Sequence, residues 1–329
     1  MAATDSAARR GDGPSNPSAV LFGTYNAQEL FKERNLQAQD HYRKVVELIR
    51  GLNPHVLAIQ EIRGKPQRAK HYLRILAYDS GMKCEIPSGG RGGPVTALAM
   101  GSHGYHSGLL WRPATEVVPG SFGESGPERL WHSAGWATFR FGGRPVRHAT
   151  FHATPFDRKV RTRDNAELLS LLRQGSDSDL PLLIGGDWNA ESADLVTDPV
   201  SGDRVLYEPG DPFADVPWRE DMVHHCLFAN EPDGTRRHWV DRSAGEVLLQ
   251  GGLHDAAAVL GAPWQATTAY LAGEGDAAVE VGRRIDAIRV TADVIPALRG
   301  HRVIENEHAK QVSDHLPVIV SYVPADIAA

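Results

Sequence analysis

LPLLIGGDWNAES, residues 180–192, decides the architecture. Its apolar part, Leu180–Ile184, has no polar alternation and predicts a strand buried on both faces. VLAIQ, residues 56–60, has the same character. Such strands need helices packed over the sheets, which puts the chain in the α/β class. Asp187 and Asn189 follow the apolar run, two residues apart. In an extended segment both side chains point to one face.

Working outward, strands are expected at Val20–Tyr25, His55–Gln60, Ser107–Trp111, Ala134–Phe141, Val146–Phe151, Leu180–Ile184, Ile285–Val290 and Leu316–Tyr322. Helical periodicity is clearest at Gln39–Arg50 and Arg163–Arg173, each with an apolar stripe. Residues 1–18, rich in Ala, Ser, Gly and Pro, read as a disordered arm. The remainder, 19–325, reads as one domain with a long ordered excursion at about 197–251, rich in Pro, Gly, Asp and Arg.

Composition narrows the function classes. Thirty-five Lys and Arg against 41 Asp and Glu leave a net charge of −6. That excludes a protein held to polyanions by a global basic field, though not a local basic cluster. Two cysteines, Cys84 and Cys226, make no disulfide framework. With no apolar run of membrane-spanning length and no signal peptide, the expectation is a cytoplasmic protein without membrane contact or an obligate protein partner.

Polar residues recur where the apolar runs end. GTYN ends in Asn26, AIQEIR carries Gln60 and Glu61, and FHATPFD carries His152. GDWN carries Asp187 and Asn189, RRIDAIRV carries Asp286, and VSDHLPV carries Asp314 and His315. One such residue is ordinary. Six sites in step predict an acidic, metal-binding pocket along one edge of a sheet assembly.

In this order, and over residues from about Val20 to Val323, these motifs resemble those of the endonuclease/exonuclease/phosphatase superfamily, in its deoxyribonuclease I-like branch. The resemblance implies a four-layer α/β/β/α sandwich, two mixed β-sheets packed face to face with flanking helices. It also implies Mg²⁺-dependent hydrolysis of a phosphate ester by in-line water attack, with Mn²⁺ as a substitute ion. The expected substrate is a phosphodiester, DNA or another nucleotide diester; the alternatives are a phosphomonoesterase acting on a small-molecule or sugar phosphate, or a non-catalytic phosphate-binding relative.

The physics of the residues agrees. Mg²⁺ is hard and takes oxygen ligands, so one or two carboxylates suffice. Glu61 is the first expected ligand and Asp314 the second, while Asn26 offers a neutral carbonyl or meets a metal-bound water. By resemblance, Asp187 orients or deprotonates the attacking water and Asn189 helps hold the phosphate. His315 donates to the phosphate or acts as general acid/base. Asp286 sets its tautomer, the competing reading being an ion pair with Arg283 or Arg284. His152 is a second catalytic histidine, for which Glu85 in KCEIPSGG is the expected orienting partner and Asp157 the competitor. Arg63, Arg158 and Arg161, from two basic stretches, are expected on flanking phosphates; a solvated helix start is the plainer reading of Arg158 and Arg161. His224, His225 and Cys226 lack a partner pair at ligand spacing and read as structural.

Overall fold

Apolar runs without alternation become central strands. The computed structural model describes residues 18–33, 35–174, 177–268 and 282–328, so residues 1–17 of the expected arm lie outside the described residues. The first sheet contains β1 (Val20–Leu30), β2 (Val56–Arg63), β3 (Leu98–Ala99) and β4 (Tyr105–Trp111). The second contains β5 (Glu116–Val117), β6 (Ser133–Phe141), β7 (Arg144–His152), β8 (Leu182–Asp187), β9 (His254–Asp255) and β10 (Asp286–Val290). β11 (Leu298–Val303) and β12 (Val318–Tyr322) return to the first, giving the order β11-β12-β1-β2-β4-β3. The second runs β9-β10-β8-β7-β6-β5, with Gly123–Ser125 also pairing with β6. β1–β2 and β7–β8 are parallel and their neighbours antiparallel, so both sheets are mixed.

The sheets face each other across Phe22, Ala58, Trp111, Phe139, Leu183 and Ile288, all buried. On the outer face of the first sheet, α1 (Leu36–Leu52) and α2 (Pro66–Ser80) bury Val45, Ile49, Leu73 and Leu76 against Tyr25, Leu57, Ile59 and Leu110. On the outer face of the second, α3 (Arg158–Leu172) and α4 (Ser243–Gln250) bury Leu168, Leu172 and Leu248 against Phe151, Ile184 and Trp188. This is the expected four-layer sandwich. No helix among the described residues is long and apolar enough to cross a membrane.

Two glycines let the decisive strand fit, Gly185 against the opposite sheet and Gly186 against its neighbouring strand β7. A Cβ on Gly185 would stand 2.7 Å from Cβ of Thr24 in the opposite sheet. One on Gly186 would stand 2.3 Å from the Phe151 carbonyl oxygen.

Two elements depart from expectation. Pro66–Ser80, whose start is a basic stretch, is a helix with Pro66 in its first turn and Gly81 as a left-handed C-cap. Within the stretch of the expected excursion, Ser243–Gln250 is α4 and packs on α3. Before it lie two hairpins, Leu195–Thr197 with Arg204–Leu206 and Cys226–Asn230 with Arg236–Val240.

Strand register now places the chemistry. Asn26 stands opposite Gln60, His152 opposite Asp187, and Asp187 opposite Asp286. The motif-bearing strand tips therefore meet at one edge of the sandwich.

Candidate active site

Two bulges aim the first pair of side chains. Register slips between Asn26 and Leu30 in β1 and between Ile59 and Ile62 in β2. Glu61 sits at the second slip in the left-handed region, φ 64°. Bulges commonly re-aim a side chain near a site, and a non-glycine residue is held at positive φ only by its surroundings. Here Glu61 Oε2 accepts the Glu29 backbone N–H at 2.7 Å and Oε1 accepts Asn26 Nδ2 at 3.1 Å. Burial pushes its carboxyl above the usual range despite these hydrogen bonds.

Asp187 is the hub. Trp188 turns inward, its indole N–H donating to the Ala287 carbonyl at 3.0 Å, and this anchors the turn beyond β8. Asp187 Oδ1 accepts the Asn189 backbone N–H at 3.0 Å, and Oδ2 accepts Asn26 Nδ2 at 3.0 Å. From Oδ2, Nε2 of His152 lies 3.5 Å away and Nε2 of His315 lies 3.9 Å away.

The two histidines differ in what stands behind them. His315 Nδ1 is 2.8 Å from Asp286 Oδ2. Burial disfavours its charge, but the carboxylates of Asp286 and Asp187 prevail and hold the imidazole well above its ordinary value. Arg283 and Arg284 are bound elsewhere, to Glu191 and to Asp255 with Glu208, so Asp286 serves the histidine. His152 has no such support: burial takes its imidazole down to about 3, and Nδ1 has no hydrogen-bond partner among the described residues.

These groups line a cleft of about 380 Å³ with Asp314, Asn189, Gln28 and Glu29. Its walls add Pro155 and Phe156 from the FHATPFD segment, and Tyr105, Trp131, His132 and His103, which no motif had marked. Among them His132 lies face to face on His152, with ring centroids 4.2 Å apart. Asp314, Asp187 and Glu61 all present carboxylates to the cleft. Among the described residues, Glu61 has no Lys or Arg within ion-pair distance, so its compensation comes from the neutral N–H donors of Asn26 and Glu29 and from the charge of the His315 imidazole. A buried oxygen-donor set of this kind fits a hard divalent cation. Ligand-type atoms of Asp187, Asp286 and His315 also lie within 4.8 Å of one another, but Asp286 and His315 are bonded to each other.

Several expected roles do not survive. Glu85 is exposed and paired with Arg74 at 2.8 Å, so it does not orient His152. Asp157 does not either, for it caps α3 by accepting the Lys159 and Val160 backbone N–H groups. Arg161 is buried, and its guanidinium donates to the backbone carbonyls of Thr154, Asn189, Pro155 and His224, so it holds loops together and touches no solvent-facing phosphate. Arg158 is engaged by Asp241 at 3.0 Å. Arg63 lies at the rim, its guanidinium 3.6 Å over the Tyr105 ring. The Asn26 side-chain carbonyl accepts the Gln28 backbone N–H, leaving the amide nitrogen toward the carboxylates. Asn189, at φ 49°, donates its side-chain amide to the Ala153 carbonyl.

The family model described as Endonuclease/Exonuclease/phosphatase family matches residues 23–315. No curated protein matches the chain. Among solved structures, an endonuclease/exonuclease/phosphatase family protein from Bacteroides thetaiotaomicron is similar with TM-score 0.54 and 14% identity, covering 92% of this chain and 97% of its own. The mannosyl-6-phosphatase Bt3783 of the same organism is similar with TM-score 0.54 and 14% identity, over 92% of this chain and 98% of its own. D. rerio TDP2, complexed with single strand DNA product, is similar with TM-score 0.55 and 15% identity, over 93% and 99%. At these identities the likeness carries the fold alone.

Proposed function

The chain belongs to the endonuclease/exonuclease/phosphatase family, and from that premise we propose that it hydrolyses phosphodiester bonds in DNA or another nucleotide diester. One observation carries this reading: a single cleft sets the Asp187 carboxylate between two histidines, one of them backed by Asp286.

Glu61 and Asp314, with Asp187 beside them, would hold Mg²⁺, or Mn²⁺ in its place. Bound there, the ion supplies Lewis-acid polarisation of the phosphate. The protein's own groups do the rest. Asp187 orients the attacking water and takes its proton, while Asn26 and the Asn189 N–H fix the carboxylate that does so. His315, kept protonated by the carboxylate behind it, donates from Nε2 to a phosphate oxygen as charge develops. His152 adds a second donor from the other side of Asp187.

Aromatic walls at Trp131, Tyr105 and Phe156 suit a substrate that carries a base. TDP2 in complex with a single-stranded DNA product lies within the same fold. A second reading is a phosphomonoesterase acting on a small molecule, the activity that the name mannosyl-6-phosphatase gives to that similar protein. It is favoured by Arg158 and Arg161, which turn away from the rim and remove the basic flank an extended polyanion would use.

The test compares the purified protein with its His315→Ala variant on supercoiled plasmid and on single-stranded DNA, with Mg²⁺ and then with chelator. Nicking that needs both the metal and His315 supports the nuclease. Absence of cleavage, with turnover of sugar phosphates instead, sinks it in favour of the monoesterase.

A further inference from the structure

A catalytic imidazole is ordinarily set by an acceptor on its far nitrogen. His152 has none among the described residues: Glu85 is bound to Arg74, Asp157 caps α3, and Nδ1 meets no partner. What the ring meets is a second imidazole. His132 lies on it with centroids 4.2 Å apart and planes inclined by 10°. Register brings them together, because His152 pairs with Ser133, the first residue of β6. His132 is fixed from behind in turn. The Tyr105 ring meets it edge-on at 5.6 Å, the Tyr105 hydroxyl donates to Glu29 at 2.7 Å, and Arg63 covers the Tyr105 face.

We infer that His132 is the positioning residue for His152, doing by stacking what a carboxylate would do by hydrogen bonding. A parallel ring at contact distance fixes the imidazole plane, since rotation about Cβ–Cγ would drive the edge of His152 into His132. The stack does not choose between the two flips of the ring. With the plane held, Nε2 faces Asp187 Oδ2 at 3.5 Å and Nδ1 faces no acceptor among the described residues, so flip and tautomer are selected only while the stack keeps the ring in that plane. Once His132 is gone, the ring can turn and either nitrogen can carry the proton. A proton on Nδ1 would be a buried donor without an acceptor, so the proton sits on Nε2 and points into the cleft. His132 and Asp187 together thus present one oriented N–H, with no charged partner behind the ring. The inference rests on the proposed function only in assigning that N–H to a phosphate.

The test uses three variants of the full chain: His132→Phe keeps a flat ring, while His132→Leu and His132→Ala remove it. ¹⁵N spectra of the imidazoles report the His152 tautomer without any substrate. Expected is a wild-type Nε2–H signature in the Phe variant and a mixed tautomer in the Leu and Ala variants, at similar melting temperatures. On the DNA substrate, kcat should fall about ten- to a hundredfold in Leu and Ala with KM nearly unchanged, and recover largely in Phe, as expected for lost orientation. An unchanged tautomer in both the Leu and Ala variants overturns the inference. So does a Phe variant as impaired as Ala, which would assign a His132 nitrogen to the substrate itself. If the protein cleaves no DNA, the proposed function fails while the tautomer comparison still decides the stack.

Discussion

Asp286 and His132 stand behind the two histidines of the cleft and give one residue type two characters. Burial pushes both imidazoles toward neutrality, and only at His315 do carboxylates reverse it. Environments that drive like groups apart are how one site obtains different proton chemistry. His315→Ala or Asp187→Ala should therefore lower kcat at least about a hundredfold with folding intact. Steady-state kinetics beside circular dichroism checks this, and retained activity in both variants would sink the mechanism. The strand-tip residues are legible in sequence because a short motif ties each of them to the apolar run before it. His132, Tyr105 and Glu29 are not, because separate loops and strand ends deliver them and no motif marks them. Arg161 departs from its expected place although a signal for its true one exists. The period that turns Leu168 and Leu172 inward on α3 also turns Arg161 and Asn165 inward. Glu85 offers no such signal, since its strand is two residues long and its direction is set by Arg74 on a neighbouring helix.

At the scale of elements, β8 shows how a strand's sequence is bound by its neighbours. Gly185 has Thr24 of the other sheet where a Cβ would go, so Gly185→Ala should press the layers apart. A loss of about 1–3 kcal/mol is expected from overpacking, read as a shifted urea midpoint. An unchanged midpoint would mean that the layers yield freely. β7 carries a different liability. His148 is buried among Phe22, Phe139 and Phe141, its Nε2 3.1 Å from the Tyr322 hydroxyl, and burial lowers its imidazole to about 3. The unfolded chain binds that proton near pH ~6.5, so between about pH 6.5 and 3 it holds more protons than the folded protein. Stability should fall as pH drops through that window. A His148→Leu, Tyr322→Phe double variant should show a shallower slope in denaturation curves taken across it. The expected strands form, because unbroken apolar runs leave little alternative. α2 is hidden in the sequence because the charges of Lys65, Arg68 and Lys70 obscure the inward stripe of Ala69, Leu73 and Leu76.

Across the whole molecule, the sandwich is legible through the resemblance and the run lengths, whereas the long excursion is legible only as irregular. Its attachments are side chains far apart in sequence, which no local pattern encodes. Arg284 of the segment entering β10 is buried and binds both oxygens of Asp255 at 2.7 Å and Glu208 at 3.1 Å. Glu208 belongs to the excursion and also accepts the Trp264 indole N–H at 2.8 Å. The excursion is thus bound to the second sheet two residues from Asp286, directly behind the site. A buried cation removed from such a triad leaves two carboxylates unpaired, at a cost of about 3–5 kcal/mol. The Arg158–Asp241 pair, with its guanidinium partly open to solvent and Asp241 still held by Ser243 once Arg158 is gone, should be worth less, about 1 kcal/mol. Arg284→Met should therefore lower the melting temperature far more than Arg158→Ala does. If the excursion and the sandwich form one cooperative unit, Arg284→Met will still melt in a single transition, with kcat lost along the same curve. An earlier, separate transition, with proteolytic cuts confined to residues 198–242 while the rest stays folded, would instead make the excursion an independently unfolding flap.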